Sequence, residues 1–274
     1  MKRWINIIFT PGASVASVPL VFLSVVIVIA FQLPAQLLMR RGYMMWGIAV
    51  NEIIAILGVP LLIVFLFGFD RKKLFPLRLP SLGAILMLII FTVAADVLID
   101  YLTYASELIL SPPPDVIEGL EKLIAIDGPS ILVAKLFVLC LLPGICEEVF
   151  FRGFCQGSLE AKWGRWVALL TASILFALLH GNPWYFHLYF ILGLIMGWLY
   201  IISKTLIIPI AFHVMNNAWT ITVKAYNLGP PVAEKFGIYD FFLIVFAIFA
   251  MFLAAKGLRA FFPHGKSLMK KTVI

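Results

Sequence analysis

Long apolar runs separated by short polar or basic stretches dominate the chain, near 17 to 38, 44 to 68, 82 to 110, 130 to 157, 165 to 182, 184 to 203, 205 to 223 and 238 to 260. About 20 helical residues cross a hydrocarbon core of about 30 Å, so the runs read as membrane spans. They are continuously apolar rather than alternating, which predicts helices and not barrel strands. The expected fold class is all-α: a polytopic membrane protein of about eight transmembrane helices enclosing an intramembrane polar cavity. Segment 111 to 129 begins with Pro112, Pro113 and Pro114 and carries Val116, Leu120, Leu123 and Ile124. It reads either as an interfacial amphipathic helix or as an ordinary loop helix. Pro143 and Gly144 weaken the backbone ladder of the fourth run and predict a kink there.

Composition agrees with this picture, since 63% of the residues are hydrophobic and only 13% are charged, far from the balance of a soluble domain. No internal repeat or hydrophilic domain interrupts the runs. The expected organisation is one integral membrane domain over residues 1–274 with a motif-bearing core at about 130–223. Lys2 and Arg3 precede an apolar stretch too long for a signal core, so that stretch is expected to stay as the first span. Basic residues fall on alternate sides of the eight runs. One side takes Lys2, Arg3, Arg71, Lys72, Lys73, Arg78, Lys162, Arg165, Lys204, Lys256, Arg259 and Lys270. The other takes Asp115, Glu118, Glu121, Glu234 and Asp240, with Arg40 and Arg41 as exceptions. By the positive-inside rule both termini are expected in the cytoplasm. Orientation accounts for the net charge of +7, and without a basic stripe interleaved with aromatics nucleic acid is not an expected partner. Cys140, Cys146 and Cys155 cluster on one apolar helix and read as small core residues rather than a disulfide framework or a nucleophile.

Against so apolar a background, ionisable residues at membrane depth need a reason, because each costs roughly 2.5 to 3.5 kcal/mol on insertion scales. Glu147 and Glu148 are adjacent and Arg152 follows Glu148 by four residues. On a helix that step lets Glu148 pair with Arg152, while Glu147 points about 100° away and stays available for proton chemistry. Phe176 with His180 and His213 with Asn217 repeat the four-residue step on the next polar-bearing helices. At about 1.5 Å per residue, Glu147 and His180 lie roughly 20 to 25 Å from a shared hairpin tip, and His213 and Asn217 lie roughly 14 to 20 Å from the turn at Lys204. Polar groups from three helices are therefore expected to converge. His187 and His264 do not share this level.

A carboxylate beside a histidine can hold and deprotonate water, and a second His with an Asn can stabilise an oxyanion, so these residues suit amide hydrolysis without a covalent nucleophile. Zinc is the competing cofactor, held by Glu147, His180 and His213, although no His-Glu-x-x-His helix is present. Two readings of another class stay open. Glu52 beside Asn51, and Asp96 with Asp100, are intramembrane acids such as a proton-coupled transporter uses, and the whole set could also serve a non-catalytic scaffold. The bland role for Asp96 and Asp100 is pairing with Lys135 or lining a wet cavity.

The three motifs resemble the signature of the type II CAAX prenyl endopeptidases and their bacterial and archaeal relatives, the CPBP or abortive-infection intramembrane proteases. Glu147-Glu148-Val149-Phe150-Phe151-Arg152 is similar to E-E-x-x-x-R, Phe176 to His180 to F-x-x-x-H, and His213 to Asn217 to H-x-x-x-N. The resemblance covers about residues 143 to 217; the first 110 residues share only their membrane helices. It implies an eight-helix endopeptidase in which Glu147 is the general base, His180 shares the activated water, and His213 and Asn217 form the oxyanion site. Glu148 and Arg152 would support that geometry, with Phe176 beside them. The implied partners are membrane lipid and a peptide or protein substrate, either a prenylated CAAX protein that loses its last three residues or an unprenylated peptide in maturation or bacteriocin immunity.

Overall fold

The computed structural model describes residues 12–126, 128–226 and 236–262. Lys2, Arg3, Glu234, His264 and Lys270 lie outside the described residues. The first helix, α1 (Val18–Arg40), opens on Ser17, whose hydroxyl accepts from the Leu20 N–H at 3.4 Å. The second, α2 (Met44–Phe67), widens into π-type turns over Asn51–Gly58 and stops at Gly68, which takes the left-handed conformation with φ of 65°. A single basic turn, α3 (Arg71–Leu74), is capped by Asp70. It leads to α4 (Leu82–Ile109), whose cap is Ser81.

The segment after the proline run forms α5 (Pro114–Ile124), a surface helix with no fully buried residue. Next comes α6 (Pro129–Leu179), then α7 (Phe186–Ser203), α8 (Ile207–Ala225) and α9 (Ile238–Phe261). No strand occurs among the described residues.

At 51 residues α6 would measure about 77 Å if straight, more than twice a hydrocarbon core. It reverses at Gly164, where φ of 74° and ψ of 166° leave the helical region, and glycine enters that region without steric cost. The reversal brings Phe151 of the first arm and Phe176 of the second to a ring separation of 5.2 Å. Each of the eight expected apolar runs corresponds to a helical stretch, yet among the described residues six helices are long and apolar enough to cross a membrane: α1, α2, α4, α6, α7 and α9. The difference arises because α6 holds two runs in one element and the apolar stretch of α8, Ile207–Val223, is short.

The distribution of side chains inverts that of a soluble domain. Large apolar residues face outward, as at Phe65 and Phe246, while Glu148, Arg152 and Gln156 are buried. An apolar exterior around polar helix contacts is what a lipid solvent selects, and the protein is an integral multi-pass membrane protein. Packing places the segment Leu142–Glu148 of α6 between the widened part of α2 and α8, with α8 also against α4 and the second arm of α6 against α7. The α6–α7 approach is close: a Cβ on Gly193 would sit 3.0 Å from both Cα and Cβ of Ser173.

Pro143 does not break the helix. Residues 141 and 142 keep helical torsions, and the π-type turns over Leu136–Leu141 absorb the irregularity. Gly144 serves contact with α8, since a Cβ there would lie 2.5 Å from Val214 Cγ2. At one end of the bundle Lys72, Lys73, Arg78 and Lys204 line a cavity of about 710 Å³, and Lys204 Nζ donates to Glu160 Oε1 at 3.1 Å. Four of the basic residues assigned to one side by sequence therefore share one end.

Candidate active site

A second cavity, of about 360 Å³, lies among α2, α5, α6, α7 and α8, and Glu52, Glu147, Phe176, His180, Tyr189, His213, Asn216 and Asn217 are on its wall. It unites all three motifs. Leu123 and Ile124 of α5 also line it, so the surface helix covers part of this cavity.

Glu148 and Arg152 form the foundation. The guanidinium Nη1 lies 3.0 Å from Glu148 Oε1, both side chains are fully enclosed, and Nη2 donates to the Gly193 carbonyl at 3.3 Å. One turn on, Gln156 Nε2 donates to the Gly197 carbonyl at 3.1 Å. Arg152 and Gln156 thus fasten α6 to the backbone of α7. The Phe176 ring supports the guanidinium at 4.7 Å and touches the His180 ring at 4.5 Å and the His213 ring at 6.0 Å. Phe176 is a floor beneath the two imidazoles.

The back side of each imidazole decides its tautomer. His180 Nδ1 lies 2.8 Å from the Phe176 carbonyl, an acceptor only, so Nδ1 carries the hydrogen. His213 Nδ1 lies 3.0 Å from Glu148 Oε1, a carboxylate oxygen already facing Arg152, so this Nδ1 also donates. Both Nε2 atoms are then bare acceptors in the neutral rings, and both lie 4.0 Å from Glu147 Oε2. That oxygen has no hydrogen-bond partner among the described residues. When Glu147 is ionised, these three atoms are acceptors facing one another. The spacing is too long for a direct hydrogen bond and suits a bridging water.

Asn217 is held by the consequence of a proline. In an α-helix the N–H of residue 143 would bond the carbonyl of residue 139, but Pro143 has no N–H. Asn217 Nδ2 takes that place and donates to the Leu139 carbonyl at 2.9 Å. Its amide keeps a second hydrogen for the cavity.

Among the described residues no group of three or more His, Cys, Asp and Glu is arranged to hold a metal ion. Cys140, Cys146 and Cys155 are buried free thiols. The acids of α4 have partners on α8: Asn216 Nδ2 donates to Asp96 Oδ1 at 2.6 Å and Trp219 Nε1 to Asp100 Oδ2 at 3.0 Å. Lys135 donates to the Ala125 carbonyl. Residues 129–219 match the family described as type II CAAX prenyl endopeptidase Rce1-like.

All seven motif residues lie inside this Rce1-like segment. The chain is 31% identical over 113 residues to the membrane-embedded CAAX protease MroQ of Staphylococcus aureus (strain USA300), covering 39% of this chain and 45% of that protein. It is 30% identical over 80 residues to YdiL of Bacillus subtilis (strain 168), a candidate membrane peptidase, covering 29% of this chain and 33% of that one. The chain therefore spans less than half the length of either curated relative. No solved structure matches it.

Three wall residues escaped the sequence reading as members of this site. Glu52 lies outside the Rce1-like segment and was grouped with the acids of a transporter. Tyr189 stacks its ring on His180 at 4.0 Å and 25°. Asn216 stood unmarked beside Asn217. For Glu52 the available signal was the cost of an acid at membrane depth; for the other two, spacing carried none.

Proposed function

We propose that this protein is an intramembrane endopeptidase that hydrolyses a peptide bond with a water activated by Glu147. The observation that carries the reading is that the Nε2 atoms of His180 and His213 both lie 4.0 Å from Glu147 Oε2, an oxygen with no hydrogen-bond partner among the described residues. A water placed there donates one hydrogen to Glu147 and the other to an imidazole, which orients its lone pair toward a carbonyl carbon. As the C–O bond forms, Glu147 takes the proton.

The developing oxyanion is met by the free Asn217 N–H and by His213 once its Nε2 is protonated through Glu147. Glu148, on the far side of that ring at 3.0 Å, stabilises the imidazolium so formed. Donors placed where charge develops typically contribute about 10²–10³ in rate each. The Glu148–Arg152 pair and Phe176 hold the ring orientations.

The substrate class takes CAAX from the name of MroQ and prenylation from that of the matching family: a prenylated protein with a CAAX-type C-terminus, whose last three residues are the product that the motif resemblance implies. The partners are thus that substrate and the surrounding lipid. Purified protein with a quenched CAAX peptide, with and without a farnesyl group, tests this by mass identification of the products. Release of the terminal tripeptide from the farnesylated peptide alone supports the full reading. Equal cleavage of both moves the substrate to unprenylated peptides, and intact peptides in both arms sink it. Repeating the assay with a chelator and with added zinc separates the glutamate mechanism, whose rate is unchanged, from a zinc-dependent one.

The basic end of the bundle, with Lys72, Lys73, Arg78 and Lys204, faces the cytoplasm in this proposal, and with it both termini. Reporters fused to the C-terminus check the orientation. One active only in the cytoplasm should give signal, and signal from one active only outside overturns the assignment.

A further inference from the structure

Glu52 belongs to no motif, yet it lies on the wall of the same cavity as Glu147, His180, His213 and Asn217. It is only 4% exposed. Its Oε1 accepts from the neighbouring Asn51 amide at 3.2 Å, and its Oε2 has no partner among the described residues. Asn51 sits next to it in the same helix, so the bond ties Glu52 to no other element. Adjacent Ile53 and Ile54 face outward, and an apolar residue at position 52 would satisfy packing at no electrostatic cost. A buried carboxyl with an unmatched oxygen is expensive enough that a structural role does not explain it.

Two further observations point into the cavity. Glu52 is carried by the π-widened part of α2, an irregularity frequent at functional sites, and this part packs directly on Leu142–Glu148. Among the described residues no Lys or Arg is on the cavity wall, and the enclosed guanidinium of Arg152 is committed to Glu148 and Gly193. Two carboxyl groups thus face one low-dielectric space with no cation of their own. Such a pair is suited to dividing the roles of acid and base.

We propose that Glu52 is a second catalytic carboxyl of this cavity, the acid that protonates the amine leaving the cleaved peptide bond. The assignment rests on the endopeptidase reading above. Water gives one proton to Glu147 while its oxygen bonds to the carbonyl carbon. The C–N bond then breaks, and its electron pair takes the proton from the Glu52 carboxyl, releasing the amine and leaving a carboxylic acid on the other fragment. The water proton, shared by Glu147 and His213 while the oxyanion lasts, then passes through Glu147 to Glu52 across the cavity, and the site is restored without an external acid.

The test uses a leaving group that needs no proton. Wild type, Glu52→Gln and Glu147→Gln are assayed on a CAAX peptide and on an analogue with a thioester at the scissile position, whose thiolate departs unprotonated. Glu52→Gln should slow amide cleavage by about 100-fold or more at unchanged KM and leave thioester cleavage within a few fold of wild type. Glu147→Gln should lose both. Equal slowing of amide and thioester by Glu52→Gln, or slowing of neither, overturns the proposal while the endopeptidase reading stands. Failure of wild type on every substrate overturns both. If Glu52→Gln does not fold, Glu52→Asp displaces the carboxyl by one methylene and should slow the amide alone by at least about tenfold; parallel effects on the two substrates count against Glu52.

Discussion

Glu147→Gln is expected to lower peptide cleavage by about 10²–10⁴-fold while the purified protein keeps its elution profile and melting temperature. The substitution is isosteric and replaces a side chain whose Oε2 has no hydrogen-bond partner among the described residues, so folding has no contact to lose. What is lost is the base. A Gln amide presents a carbonyl oxygen too weak to take a proton from water, and its N–H groups donate where a carboxylate accepts. Wild-type activity in this variant would remove Glu147 from the mechanism and leave the transporter and scaffold readings to be tested instead, by proton flux in Asp96→Asn for the former.

Arg152→Leu should give the opposite pattern, a stability defect as well as an activity defect. The guanidinium is 1% exposed, faces Glu148 at 3.0 Å and holds the Gly193 carbonyl. Its removal leaves Glu148 as an uncompensated enclosed charge, an effect worth about 3 to 5 kcal/mol when one partner of a buried pair is deleted. Thermal or denaturant unfolding in detergent measures it. Adding Glu148→Gln to Arg152→Leu should recover a large part of the stability, because the stranded charge disappears, but not the activity, because His213 loses the carboxylate behind its Nδ1. If the single variant unfolds like wild type, the pair does not brace the site.

The contrast between these two variants follows a division visible in the sequence. Glu147 and Glu148 are neighbours, yet the 100° step of a helix sends one into the cavity and the other to Arg152. Helical class, the apolar runs and the common level of Glu147, His180 and His213 were legible for the same reason: four-residue spacing against an apolar background is a one-dimensional signal. The number of crossings was less so, since hydropathy does not show that one element folds back on itself at Gly164.

What stayed hidden depends on helices far apart in sequence. The helix continues through Pro143, and the proline frees the Leu139 carbonyl for Asn217, 78 residues away. The partners of Asp96 and Asp100, on Asn216 and Trp219, lie 120 and 119 residues on. Glu52 enters the cavity only because the widened turns of α2 meet the segment bearing Glu147. The imidazole tautomers were illegible for a different reason: one is fixed by a backbone carbonyl, which every residue possesses.

Three acceptors facing one another also dictate what an inhibitor of this cavity must look like. Carboxylates, ketones and other hydrogen-poor warheads would add a fourth acceptor to a space that already lacks hydrogens. An amidinium, or a gem-diol formed from a hydrated carbonyl, brings the donors that Glu147, His180 and His213 leave unmet. An apolar tail beside Leu123, Ile124 and Leu192 would complete such a compound, so a screening collection rich in cationic amphiphiles suits this target better than one rich in acids.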